Sequence, residues 1–335
     1  MKQRDSSVDI MRAIGLLCVI LAHINPPSLL LQIRSFDVPL MLFVSGLVYS
    51  GRNFSIGGCK ALINRFIRLL LPTWIFLTFF FIISSVFAEL GVISPIKKSE
   101  IISSYLLLGY PLSIGYVWVI RIFIMIGILT PFWLRISCKI RHNWMELLLF
   151  AALLILQQVL VNSLSDYSNC WFIRDWLLYA IGYSAIFVLG IFFKDKTSKT
   201  GIFMFCFVLI SFIFVISFND DGFNINDYKY PPQLVFLLWG ALISISLWLT
   251  KRLWSNILNN RFIVWLGQNT IWIYFWHIPF LKPAASLLGE CHWTIRYLFV
   301  LMLAIAIFSI QFYIVSRLKS LNSERRKYLL KYFVG

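Results

Sequence analysis

Ten runs of apolar residues divide the sequence, each near the ~20-residue length that a helix needs to cross ~30 Å of hydrocarbon. Their approximate limits are 9–25, 36–50, 69–88, 116–134, 144–161, 172–193, 201–218, 232–250, 262–280 and 297–316. A backbone in hydrocarbon must satisfy its own hydrogen bonds, and runs of this length do so as α-helices. The expected fold class is therefore all-α, a polytopic integral membrane helical bundle of about ten transmembrane helices. With 60% hydrophobic and 13% charged residues, the chain is too apolar for a soluble domain, where those shares run near ~45–50% and ~25%.

The formal charge of +16 raises nucleic acid as a partner. The Lys and Arg residues, however, are parcelled into short groups beside the apolar runs, not gathered on one solvated face, and no nucleic-acid partner is expected. Their distribution reads as topology. An even number of spans puts both termini on one side; 21 Lys and Arg fall on that side, 7 on the other, and Arg12 and Arg121 within spans. By the positive-inside rule both termini are cytoplasmic. The first run contains Arg12 and His23 and has no small-residue cleavage site after Pro26-Pro27, so it reads as a retained helix, not a cleavable signal.

Residues 1–335 read as a single membrane domain, with a basic cytoplasmic tail at 317–335 containing Arg325-Arg326-Lys327 and expected against anionic lipid. The longest loop, 89–115, has room for a short re-entrant or interfacial piece. The six cysteines show no C-x-x-C spacing and no neighbouring histidine pair, so no metal is expected. Cys170 and Cys291 both fall on the outer side, where a disulfide is chemically possible, although solitary thiols are the commoner case.

Ionisable groups inside spans are costly and mark candidate sites. Arg12 and His23 lie eleven residues apart on the first span, which places them about 20° apart around a helix and ~16 Å apart along it. Arg12 reads either as a snorkelling anchor paired with Asp9 or as part of a site. His23 is either a satisfied core histidine or a base able to take a proton near neutral pH. Asp37 opens the second span: it either orients that imidazole as the acid of a triad does or caps its helix in solvent. Arg65 and Arg68 share a cytoplasmic helix face, where two guanidinium forks suit phosphate oxygens and also suit simple positive-inside placement. His277 and Tyr274 share a face of the ninth span, as a structural pair or as a second polar site.

Six stretches, in order, carry a family resemblance. Val8-Asp9-Ile10-Met11-Arg12 through His23, Val38 to Gly46 with its Phe43-Val44-Ser45-Gly46, Arg65-Phe66-Ile67-Arg68, the Trp118 segment, Lys229-Tyr230-Pro231-Pro232, and Gly267 through His277 resemble the motifs of membrane-bound acyltransferase family 3. The resemblance covers nearly the whole chain; Leu42-Phe43-Val44 replaces the aromatic pair often found before the Ser-Gly, and Arg121 has no place in the pattern.

The resemblance implies a bacterial inner-membrane O-acyltransferase in its stand-alone form. Such an enzyme moves an acyl group, usually acetyl from acetyl-CoA, to a sugar hydroxyl of a surface polysaccharide such as an O-antigen or exopolysaccharide, or of its lipid-linked precursor. Joined to the spacing above, it makes His23 the expected base with Asp37 orienting it, and Ser45 either a hydrogen-bond donor to the thioester oxygen or a helix-packing residue beside Gly46. Arg12, Arg65 and Arg68 are the expected holders of the acyl-CoA phosphates. Trp118, Tyr274 and His277 are expected on the acceptor side. The competing classes are a glycan or lipid-precursor flippase, for which repeat symmetry and a continuous polar path would be expected, and a non-catalytic scaffold subunit.

Overall fold

A computed structural model describes residues 5–49, 58–91, 93–109, 112–164, 170, 172–194, 196–218, 223–321 and 333. Among these residues every regular element is helical. Two compact units are interleaved along the chain: Met1–Cys59 with Met125–Gln268, and Lys60–Ile124 with Asn269–Gly335.

The first unit opens with α1 (Ser6–Ala22), capped by the Asp5 carboxylate, which accepts from the Ser7 N–H at 3.0 Å. The α1 helix stops at His23, followed by Asn25 in the left-handed region (φ 51°) and by Pro26-Pro27, which cannot extend a helix. The chain re-enters through α2 (Ser28–Ile33), a 3-10 turn at Arg34–Phe36 and α3 (Asp37–Tyr49), together a 22-residue apolar stretch. The expected second span, 36–50, therefore extends into its N-terminal flank. The unit continues with most of α6 (Trp118–Lys139), then α7 (Asn143–Ser163), α8 (Leu178–Phe193), α9 (Ser198–Ser217), α10 (Leu234–Leu249), α11 (Lys251–Leu258) and α12 (Arg261–Gln268).

The α8 helix is the unit's centre, with Tyr183 through Phe193 buried on every side. Such an all-round apolar helix has no amphipathic stripe, which is why periodicity cannot order these spans. The α9 helix instead leaves Ile202, Phe203, Ile210, Ile213 and Phe214 exposed, the pattern of a helix that faces lipid tails. Where α3 crosses α8, Gly46 and Gly190 face one another: a Cβ on Gly46 would overlap the Phe187 carbonyl oxygen, and one on Gly190 the Phe43 carbonyl oxygen. Small residues at the crossing let the two backbones touch, as membrane helices do without a hydrophobic force between them.

The second unit holds α4 (Gly58–Glu89), α5 (Lys98–Tyr105), the start of α6, α13 (Thr270–Leu287) and α14 (Trp293–Leu321). The α5 helix occupies the long 89–115 loop as a separate eight-residue piece. Arg121 is buried at the start of α6 and donates from Nη1 to the Leu107 carbonyl at 3.0 Å. That bond ties α6 to the turn after α5 and gives this intramembrane charge a structural task. In both units, hydroxyls such as those of Thr73, Thr130, Ser137 and Ser244 donate to the carbonyl four residues back, which satisfies them without water.

Among the described residues, seven helices are long and apolar enough to cross a membrane, or eight if α10 and α11, bent by 72°, count as one. Three of the ten expected runs fall short of a single long helix, the eighth because α10 has only 16 residues before the 72° bend. The first, α1, has only 17 residues; the ninth breaks at Asn269 into α12 and α13, and α13 carries His277, Pro279, Lys282 and Pro283. Cys170 and Cys291 are both free thiols. The Arg325-Arg326-Lys327 cluster of the tail lies outside the described residues.

Candidate active site

In the first unit, α1 carries Arg12 and His23 toward its two ends. Arg12 Nη1 donates to Asp9 Oδ1 at 3.1 Å, one helical turn away, with Asp9 1% and the Arg12 side chain 27% exposed. The other Asp9 oxygen accepts from Gln268 Nε2 at 3.2 Å. That bond depends on close approach: a Cβ on Gly267 would overlap the Asp9 carbonyl oxygen, so α12 rests directly on the α1 backbone. Gly267-Gln268 thus serves the N-terminal motif, joining sequence positions more than 250 residues apart. His23 is half-buried at the α1 C-cap, its backbone N–H bonded to the Ile20 carbonyl at 3.1 Å.

Asp37 is 1% exposed, so it is not the solvated cap that its position at a helix start suggests. Its Oδ2 accepts from Arg34 Nη1 at 2.5 Å; its Oδ1 accepts from the Val38 N–H at 2.7 Å and lies 3.6 Å from Lys229 Nζ. Arg34 and Lys229 are themselves buried. Arg34 Nη2 reaches Asn226 Oδ1 at 3.1 Å, and the Asn226 N–H donates to Gln32 Oε1 at 2.6 Å. This network pins the 3-10 turn Ile225–Lys229 onto the α2–α3 junction. The Asp37 backbone borders Gly15 of α1, which is about 80° around the helix from His23 at ~100° per residue.

From the sequence, Arg34 and Lys229 read as outer-loop charges, Lys229 also within the Lys229-Tyr230-Pro231-Pro232 stretch, and their ion cluster with Asp37 was missed. The signal available was Arg34 three residues before Asp37, a spacing that puts opposite charges on one helix face. Ser45 is half-buried beside the Gly46 crossing.

In the second unit, Tyr274 and His277 lie on α13, with ring centroids 5.1 Å apart. The Tyr274 hydroxyl donates to the Tyr116 carbonyl, two residues before the buried Trp118 that opens α6. His277 is fully buried, and its Nδ1 meets the Tyr274 carbonyl. A carbonyl only accepts, so the His277 Nδ1 carries the proton in this bond. The two side chains meet as rings, while the Tyr274 hydroxyl and the His277 Nδ1 are each bonded to backbone. Tyr274, His277 and the 116–118 stretch are brought together; Arg68 lies exposed on α4, and the side chain of Arg65 lies outside the described residues. No cluster of His, Cys, Asp and Glu able to hold a metal occurs among the described residues.

Compared with known families, the chain matches the family model described as an acyltransferase domain over residues 5–314, across both units. It belongs to membrane-bound acyltransferase family 3. No curated protein and no solved structure shows a significant match to the chain. As a family 3 membrane acyltransferase, its chemistry is the movement of an acyl group, and the buried polar side chains of α1, α3 and α13 lie within the matched region. The acyltransferase keeps α1 in register through paired devices, the Asp9–Gln268 bond and the absent Cβ of Gly267.

Proposed function

We propose that this acyltransferase moves an acyl group, acetyl foremost, from a cytoplasmic acyl-CoA to a sugar hydroxyl of a cell-surface glycan or its lipid-linked precursor in the bacterial inner membrane. The observation that carries the reading is α1 itself. One helix holds a cation near one end and an imidazole at the other, on nearly the same face and ~16 Å apart by helical rise. An extended pantetheine arm can cover that length, which suits a donor whose phosphates stay at the cytoplasmic surface while its thioester enters the membrane.

The guanidinium groups of Arg12, Arg65 and Arg68 take the donor phosphates, a role for which paired N–H donors are well shaped. His23 removes the proton from the acceptor hydroxyl as its oxygen attacks the thioester carbonyl. The C–S bond then breaks, the ester forms, and the proton passes to the departing CoA thiolate. Ser45 donates a hydrogen bond to the carbonyl oxygen as negative charge develops there. Asp37 acts on the outer end of the site through the segment it holds, and Trp118, Tyr274 and His277 receive the acceptor.

Purified protein incubated with radiolabelled acetyl-CoA and lipid-linked glycan should yield labelled glycan, and mass spectrometry of glycan from cells with and without the gene should show the added acyl mass. Absence of label with every acyl-CoA tried would overturn the reading. Arg65→Ala and Arg68→Ala should each reduce the thermal stabilisation that CoA gives the protein, and an undiminished shift in both would remove them from the donor site.

A further inference from the structure

The sequence Lys251-Arg252-Leu253-Trp254-Ser255-Asn256-Ile257-Leu258 forms α11, which turns 72° away from α10 immediately after Thr250. At ~100° per residue, Leu253, Trp254, Ile257 and Leu258 fall within one ~140° arc, and Lys251, Arg252, Ser255 and Asn256 fill the opposite one. No residue of α11 is buried. Trp254 closes back on α10, its indole N–H donating to the Leu247 carbonyl at 3.0 Å, while Leu253 and Ile257 remain 73% and 78% exposed. Phe262, just past the next turn, is 54% exposed.

Cations surround this apolar edge. Arg252 and Arg261 are exposed. Lys251 lies 3.6 Å over the Trp248 ring and 3.6 Å from Asp5, the N-cap of α1. A helix that leaves the end of a spanning helix at a steep angle, apolar on one side and cationic on the other, has the form of one that rests in a membrane interface. Lys and Arg beside such a helix complement anionic headgroups.

We propose that α11 is an in-plane helix docked on an anionic phospholipid leaflet, with Leu253 and Ile257 in the acyl-chain boundary and Arg252 and Arg261 on lipid phosphates. The occupant of this surface is the bilayer itself. Because Lys251 also holds Asp5, docking of α11 braces the cytoplasmic end of the helix that carries Arg12 and His23. The surface exists whether or not those two residues perform acyl transfer.

The test uses the full-length protein in lipid nanodiscs, with nitroxide labels placed singly at 252, 253, 256 and 257 after removal of the native cysteines. Labels at 253 and 257 should be several-fold more accessible to oxygen than to a water-soluble nickel chelate, and those at 252 and 256 the reverse. Replacing neutral phosphatidylcholine by a mixture rich in phosphatidylglycerol should drive the label at 257 deeper, and Arg252→Gln with Arg261→Gln should abolish that shift. Four water-accessible labels would overturn the proposal, as would labels at 253 and 257 shielded from both reagents by another protein surface. A depth indifferent to lipid charge would remove the anionic part of the assignment. A uniformly lipid-exposed α11 would make it the end of a broken span instead.

Discussion

Asp37 shows how one residue's surroundings decide its task. A carboxylate at the start of a helix ordinarily caps backbone N–H groups in water, yet here it is sealed in with Arg34 and Lys229. Removing one member of such a group strands the others, at a cost of about 3–5 kcal/mol. Asp37→Ala should therefore lower the unfolding temperature of detergent-purified protein markedly, and adding Arg34→Met should recover part of the loss. An unchanged melting curve for the single variant would mean that the ion cluster contributes nothing to stability. From the sequence Asp37 read either as an acid orienting His23 or as a solvated helix cap; its burial and its partners were not legible, since Lys229 comes from a loop nearly two hundred positions away. The Arg12–Asp9 pair, by contrast, was legible from spacing alone because both partners lie on one turn of one helix.

At the scale of elements, glycine contacts explain motifs that otherwise read as strings of small residues. Gly46→Ala forces a methyl group against the Phe187 backbone, and backbone has no rotamer with which to yield. Overpacking of this kind costs about 1–3 kcal/mol, so this variant should unfold early. Gly201→Ala overlaps the far end of the Leu249 side chain, which can rotate away, and makes ordinary contact with the Phe193 ring, so it should stay within about 0.5 kcal/mol of the parent. Thermal melts of the two variants check this directly; equal losses would mean that the α3–α8 crossing is not close-packed. The helix class and most helix positions were readable because hydrocarbon leaves the backbone few options. The break at Asn269 and the turn after Thr250 were not, since hydropathy averages across both; Gly267 and Gln268 acquire meaning only once α12 is seen lying on Asp9.

At the scale of the whole molecule, the excess of positive charge separates into parts: buried cations that hold segments together, exposed ones beside α11, and loop charges whose distribution predicts the orientation of the chain. The orientation predicts that both termini are cytoplasmic, so reporter domains fused at residue 1 and residue 335 should both be active only as cytoplasmic reporters; activity of either on the outer side would reverse the assignment. Family membership makes the chemistry acyl transfer, and in the proposed mechanism its base is His23. Because His23 is half-buried at a helix end, its truncation should leave insertion and folding unchanged. The most direct measurement is therefore glycan acylation by purified His23→Ala protein with labelled acetyl-CoA, beside its melting curve. With His23 as the base, transfer should be lost and the melt unaltered; transfer at the parent rate by the folded variant would contradict that role.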